Sequence, residues 1–395
     1  VSGAAPATPA RWAWADVDLD AVAHNVAVLR RVVAPSDVWA VVKADGYGHG
    51  AVPVAQTAIA AGAAGLCVAL VEEGAALRTA GITAPVLVLS EQPPDAAAAI
   101  VDAELCATVY STASVDALAA AAAERGVRAP VHLKVDTGMQ RVGVAPDGVD
   151  AVLDRIDAHA AHVDLTGIFT HLAVADEPGN GFTATQLARF DDVLERLRRA
   201  DRLAPDVAVH AGNSAAALAH PASRRSFVRT GIALYGIAPG PGVAERCEEL
   251  RPAMSLRARV SLVKRVRAGT SISYGLRHTF TADTTVVTVP IGYADGVPRR
   301  LSSTGGEVLI GGRRRPIVGV VTMDQLMVDC GDDPVAVGDE VVLIGEQDGP
   351  AGPERIRAED WGDRLDTIGY EVVCGIGARV PRRTGRSIDR TMVER

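Results

Sequence analysis

From residue 38 to about residue 236 the chain alternates short β-branched runs with alanine-rich stretches, and few folds accommodate that rhythm. The strand-like runs are VWAVVKA, GLCVAL, PVLVLS, LCATVY, PVHLKVDTG, VDLTGIFTHL, DVAVHAGNS and VRTGIALYG. Between them lie helical stretches such as VEEGAALRTAG, VDALAAAAAERG and FTATQLARFDDVLERLRRA, the last with its apolar and charged faces separated at helical spacing. About eight such units predict the α/β class, with an amino-terminal (β/α)8 TIM-type barrel over residues 1–246. A doubly wound open sheet is the structural rival. Near residue 247 the texture changes. RARVSLVKRV, TTVVTVPIGY, GEVLIGG, RPIVGVV, QLMVDC and DEVVLIG alternate with Gly, Asp and Pro turns, which predicts a carboxy-terminal mainly-β domain over residues 247–395. PGPGV at 239–243 makes a plausible hinge, and no internal repeat stands out beyond the weak βα recurrence.

The remaining composition narrows the class. A formal net charge of −8 argues against a nucleic-acid surface, and the arginine clusters (Arg224 and Arg225, Arg299 and Arg300, Arg313 to Arg315) are short and scattered. Five cysteines with no C-x-x-C pair read as reduced thiols of a cytoplasmic protein. The amino-terminal VSGAAPATPARWAW has no basic region ahead of an apolar one, so no signal peptide is expected. Residues 50–71 carry no charge, but Pro53, Gln56, Thr57 and several glycines interrupt them. They read as a helix followed by a strand, and no membrane partner is expected.

VVKADGYGHG, residues 41–50, sets one lysine between a buried approach and three glycines. A plain strand ending in a turn has this form, with the lysine snorkelling outward. A dinucleotide loop fails on spacing, and a phosphate-binding loop needs its lysine after the glycines, next to Ser or Thr. What remains is a lysine at the carboxyl end of a strand, where α/β barrels put their chemistry. Other strand ends are also polar: Lys134, Asp136 and Arg141; His171; His210, Asn213 and Ser214; Arg229 and Gly231. Each alone reads as structural. Together at one end of a barrel they read as lining one site. No metal is expected, because H-E-x-x-H is absent and the histidines are dispersed, and G-x-S-x-G is absent too. A lysine able to form a Schiff base beside phosphate-suited donors suggests pyridoxal 5'-phosphate.

VVKADGYGHG, HLKVDTGMQRVG, THLAVADE, HAGNSAA, VRTGIALYG, SISYG, PIGYADGVPR, TMDQ and TIGYEVVCGIGARVPR occur in the order and approximate spacing of the alanine racemase family, and the likeness spans nearly the whole chain. That resemblance implies a pyridoxal-phosphate isomerase of fold type III that interconverts L- and D-alanine for peptidoglycan. It implies that Lys43 holds the cofactor and is one of two bases. Tyr274 is the other, supplied across a homodimer by the partner's β domain. Two bases suit racemisation because a proton leaves one face of Cα and another arrives on the opposite face. By the same resemblance Arg229 faces the pyridine nitrogen and His171 positions Tyr274. Tyr47, Asn213, Ser214, Gly231, Ile232 and Tyr370 serve the phosphate. Arg141 and Met323 meet the substrate carboxylate. Lys134, carbamylated in many members, steadies Arg141, while His210, Asp324, Tyr293, Arg299 and Ile368 are supporting positions.

The chain departs from the usual family text at Gln140 (commonly glycine), Gly212 (often alanine), Thr322 (often cysteine) and Gly369 (often asparagine). None removes a catalytic group, but they leave substrate breadth and sensitivity to covalent alanine analogues open. Alternatives are a racemase of another small amino acid such as serine, a fold-type III decarboxylase, or a noncatalytic pyridoxal-phosphate carrier. Retention of Lys43, Tyr274 and Arg229 argues against decarboxylation, and the β domain with its tyrosine argues against the carrier.

Overall fold

The computed structural model describes residues 11–385; residues 1–10, where a signal peptide was not expected, and 386–395 lie outside the described residues. The chain forms two compact units. One runs from Asp20 to Arg251, and the other joins the described residues up to Leu19 with those from Pro252 onward.

The first described strand, β1 (Ala13–Asp18), belongs to the second unit and not to the barrel, which differs from a barrel unit over 1–246. It pairs antiparallel with Met254–Arg259 (Ala15 opposite Leu256) and parallel with Arg382–Gly385 (Ala15 opposite Arg382). The physical reason lies in its own pattern. Ala13, Ala15 and Val17 are buried on one face, and on the other only Trp14 is buried while Asp16 and Asp18 are half-buried, a polar second face that suits a mainly antiparallel sheet rather than a two-sided barrel strand.

The barrel unit holds β2 (Asp37–Val41), β3 (Gly65–Val68), β4 (Val86–Val88), β5 (Cys106–Val109), β6 (Ala129–Lys134), β7 (Val163–Phe169), β8 (Ala208–His210) and β9 (Phe227–Thr230). All pairings in this sheet are parallel, in the order β8-β7-β6-β5-β4-β3-β2-β9. The seam between β8 and β9 is nearly closed: Ser226 N donates to Val209 O and Arg229 N to Gly212 O, both at 2.9 Å. β3, β4 and β5 are buried at every residue, as continuous apolar runs in a helix-covered parallel sheet should be.

The crossover helices follow local signals. Helix Thr112–Arg125 starts at Ser111, whose hydroxyl accepts from Ser114 N at 3.2 Å, and stops at left-handed Gly126. Helix Phe182–Arg199 buries Leu187, Phe190, Val193, Leu194 and Leu197, with Arg196, Arg198 and Arg199 in its last turn. The charge-free stretch resolves into helix Ala51–Ala60 and strand β3. Among the described residues no helix is long and apolar enough to cross a membrane.

Two barrel glycines make room for rings. A methyl group on Gly65 would sit 2.6 Å from the Trp39 indole, and one on Gly167 would sit 2.6 Å from the His132 ring. Gly65→Ala should therefore cost about 1–3 kcal/mol by overpacking, read as a lower urea midpoint at unchanged slope.

In the second unit the strands Leu262–Val266, Thr284–Val289, Glu307–Ile310, Arg313–Val318, Leu326–Asp329 and Glu340–Gly349 make the mainly-β domain. Two short helices, Ala358–Leu365 and Gly369–Cys374, interrupt it late. Helical periodicity too short to register as a pattern hid them.

Candidate active site

After β2 the backbone turns left-handed at once: Ala44, Asp45, Gly46 and Tyr47 have φ of 52°, 51°, 62° and 54°. Such backbone costs L-residues roughly 1–2 kcal/mol each, so the turn must be held from outside. Asp45 Oδ1 accepts from Ala51 N at 2.8 Å, and Glu73 Oε1 accepts from Ala44 N at 2.6 Å. The other Glu73 oxygen takes Ala69 N and Leu70 N at the head of its own helix. Gly46 admits Ala51, whose Cα would lie 3.3 Å from an added methyl. The glycines behind Lys43 thus let the chain double back beneath it. Lys43 is half-buried and has no carboxylate partner among the described residues.

The same turn buries Tyr47 with its ring centre 5.0 Å from that of Tyr235, whose hydroxyl donates to Val41 O. Tyr47 Oη reaches the backbone of Gly231, where a methyl group would lie only 2.4 Å away. Ser214 Oγ accepts from Gly231 N at 2.8 Å and from Ala233 N at 3.4 Å. Asn213 caps the short helix Ser214–Ala219 through Ala216 N and donates to Leu172 O. Tyr47, Ser214, Gly231 and the adjoining buried Ile232 therefore meet in one small polar cradle. At Gly212 an added methyl would lie 3.0 Å from Val228 Cγ1, which accounts for glycine there.

Arg229 is buried at the end of β9. Its Nη2 donates to Thr170 O (3.0 Å) and Ala211 O (3.1 Å) and lies 3.3 Å from His171 Nδ1, while Nη1 lies 2.6 Å from His210 Nδ1. Burial lowers the guanidinium to about 10, which leaves it charged at neutral pH. Burial and then Arg229 push His171 and His210 well below the ordinary histidine value, so both are neutral. Burial, followed by Arg229 and Arg141, lowers Lys134 to about 7, and its Nζ donates to Leu89 O at 3.3 Å. Lys43, Lys134, Arg141 and Arg229 all act on His171. A net-negative chain has gathered four basic side chains at one mouth, a field that suits an anionic ligand.

Arg141 is exposed beyond a turn in which Asp136 Oδ1 accepts from Gly138 N and Gln140 N. Gln140 has φ 56°, so the position that favours glycine is left-handed here. Gln140→Gly should stabilise the chain by about 1 kcal/mol, seen as a raised melting temperature.

The other expected residues lie in the second unit. Ser273 (φ 64°) and Leu276 (φ 48°) flank Tyr274, and Ser273 Oγ accepts from Val320 N at 3.1 Å. Tyr293 N donates to Thr322 O and Ala294 N to Met323 O, which ties Tyr293 and Met323 into one loop cluster. Asp324 takes Arg379 Nη2 at 2.7 Å, and Thr322 Oγ1 closes its own turn on Gln325 O. Ile368 precedes the helix carrying Tyr370, and Arg299 opens a short 3-10 turn on the surface. Tyr274 is 73% exposed, and Leu276, Tyr293, Met323 and Ile368 are exposed as well.

Sequence reading missed Asp45, Glu73, Tyr235 and His132 as site supports. Only Glu73 carried a signal, an acidic residue three places after the residue that precedes its helix.

The alanine racemase amino-terminal domain model matches residues 17–239, and the carboxy-terminal domain model matches residues 253–384. An alanine racemase of Symbiobacterium thermophilum is 50% identical over 373 residues, covering 94% of this chain and 97% of that protein. One of Thermobifida fusca is 44% identical over 374 residues, covering 94% and 97%. The crystal structure of alanine racemase from Streptomyces lavendulae superposes with a TM-score of 0.88 at 39% identity, covering 96% of this chain and 98% of that one. With a lysine on a left-handed turn, a buried arginine and both domain models matched in order, the chain belongs to the alanine racemase family.

Proposed function

We propose that this protein interconverts L- and D-alanine with pyridoxal 5'-phosphate, as a homodimer whose sites are shared between subunits, and so provides D-alanine for peptidoglycan in the cytoplasm. The observation that carries the reading is the Lys43 turn taken together with the Ser214 and Gly231 hydroxyl and N–H cradle and the buried Arg229. The donor set fits this cofactor: a primary amine with no carboxylate partner among the described residues, a backbone N–H and hydroxyl cradle too close for any Cβ at Gly231, and a cation that cannot accept a proton. Lys43 would hold the aldehyde carbon, and Tyr47, Asn213, Ser214, Gly231, Ile232 and Tyr370 the phosphate. When bound, pyridoxal phosphate supplies an electron sink for charge developed at the amino-acid Cα.

The chain's own residues would divide the proton work. Lys43 takes or returns the Cα proton on one face, and the partner subunit's Tyr274 does so on the other. Arg229 keeps its charge and its protons, and would disfavour a proton on a ring nitrogen facing it and so keep the sink weak. Arg229 Nη2 also serves Thr170 O and Ala211 O, but as a donor only it suits a neutral His171 that turns a bare Nδ1 toward it and carries its proton on Nε2. That N–H is suited to hold the phenol oxygen of Tyr274. Arg141 and the Met323 backbone would receive the substrate carboxylate, with Asp324 anchoring its loop and Tyr293, Arg299 and Ile368 along the access corridor. Tyr274 and Leu276, both exposed on one short turn, suit a covering partner surface.

Lys134 supports a further detail of the same reading. Held near 7 by burial, it is a free amine above that pH, the form that bonds to the carbon of CO2 and releases a proton. The resulting carboxylate would replace repulsion of Arg141 with an ion pair. With ¹³C-bicarbonate, a carbamate resonance should grow as pH rises through 7 and be absent in Lys134→Ala; equal resonances in the two proteins would count against the assignment.

The function itself is tested by incubating L-alanine with purified protein and cofactor in heavy water. Loss of optical activity with deuterium at Cα supports the reading. A yellow protein that leaves alanine untouched points to the carrier, and turnover of L-serine in preference to alanine points to the other racemase.

A further inference from the structure

Behind Arg229 a line of hydrogen bonds runs inward through the barrel. Arg229 Nη1 lies 2.6 Å from His210 Nδ1, and His210 Nε2 lies 2.9 Å from His132 Nδ1. A guanidinium has donors and no acceptor, so the direction of the whole line is fixed. His210 must present a bare Nδ1 to the arginine and carry its proton on Nε2. That N–H donates to His132, which must in turn have a bare Nδ1 and a protonated Nε2. Burial lowers His132 to about 3 and His210 well below the usual range, so neither ring escapes the constraint by becoming cationic.

Packing fixes the plane of each ring, and an in-plane flip would set a carbon where Arg229 needs an acceptor. His210 stacks on Phe169 (centroids 4.5 Å apart, 9° between planes) and on Phe227 (4.2 Å, 24°). Trp39 stacks on the same Phe227 at 4.3 Å and 10°. His132 is pressed against Gly167, where even a methyl group would come within 2.6 Å of its ring. β2, β6, β7, β8 and β9 each contribute to this layer. It is a floor of rings beneath the arginine.

We propose that His132 is a positioning residue, which by accepting from His210 keeps that ring in the one tautomer able to accept from Arg229 and so holds the guanidinium in place. Without His132 the buried His210 Nε2–H has nothing to donate to. The alternative tautomer would then compete, and it turns an N–H against the arginine's own N–H. The effect on catalysis rests on Arg229 facing the cofactor ring in the proposed function. The tautomer assignment does not.

The test uses full-length protein loaded with pyridoxal phosphate and labelled with ¹⁵N-histidine, together with His132→Leu and His132→Asn. Asparagine places an amide oxygen near the position of the missing Nδ1 and keeps an acceptor; leucine removes it. In the unsubstituted protein His210 and His132 should each show a bare Nδ1 and a protonated Nε2. His132→Leu should lower kcat roughly tenfold while KM for alanine stays within about twofold, with a shifted cofactor absorbance band. His132→Asn should recover most of the rate and the original band. A protonated Nδ1 on His210 in the unsubstituted protein would overturn the proposal. So would equal losses in both variants, or no loss in either. The nitrogen spectra and the asparagine variant stand even if the leucine variant does not fold. Should the unsubstituted protein fail to racemise alanine, the functional reading falls while those spectra still decide the relay.

Discussion

Lys43→Ala is expected to lower alanine racemisation by roughly 10⁴-fold or more, the scale on which removal of a covalent catalytic group acts. Two proposed roles would vanish with one side chain: the tether for the aldehyde carbon and the base on one face of Cα. The turn around it should survive, because its holding bonds come from Asp45, Glu73 and backbone groups. The variant should therefore keep its thermal midpoint and still take up pyridoxal phosphate noncovalently, without the absorbance of a lysine-linked cofactor. A variant that racemises alanine at even a hundredth of the original rate would show that the base lies elsewhere.

Tyr274→Phe should cost about 10²–10⁴-fold, the range for loss of a positioned proton-transfer group. Its signature is asymmetry. With the base on one face missing, Lys43 can still exchange the Cα proton of one enantiomer with solvent, so deuterium should enter that enantiomer without inversion. Equal losses of exchange from both enantiomers would argue against a two-face division. The shared-site arrangement predicts a mixing result as well. Lys43→Ala and Tyr274→Phe chains, each inactive, should regain about a quarter of full activity when dissociated and reassociated together, because each mixed dimer has one intact site. No recovery on mixing would place both residues in the same chain's site.

Much of this was readable from the residues, and the reasons differ by region. β3 to β5 are buried throughout, so their apolar runs were unmistakable, and turn residues marked their ends. β1 was not assigned a strand because its partners lie more than 230 residues away, and nothing local in AWADVD specifies them. The polar strand ends singled out Lys43, Arg229 and Ser214, of which Lys43 and Arg229 both act on His171 while Ser214 holds the Gly231 N–H. The supports escaped notice for a physical reason. His132 lies within HLKVDTG beside a lysine that drew the attention, and its role depends on a ring 78 positions onward. Tyr235 and Glu73 act on backbone atoms, a kind of contact that side-chain chemistry in a sequence does not announce.

The pairing of β1 between Met254–Arg259 and Arg382–Gly385 makes the barrel an insertion within the other unit's sequence. A chain emerging from the ribosome makes β1 first, then the entire barrel, and only afterwards the strands that β1 needs. The barrel's neighbouring strands are close in sequence and can assemble during synthesis, whereas β1 waits as an unpaired edge with two alanines and a valine ready for any passing strand. Premature termination before residue 254 would therefore release a folded barrel trailing an orphan strand. Such fragments should aggregate through that strand, and deleting it should make an isolated barrel more soluble.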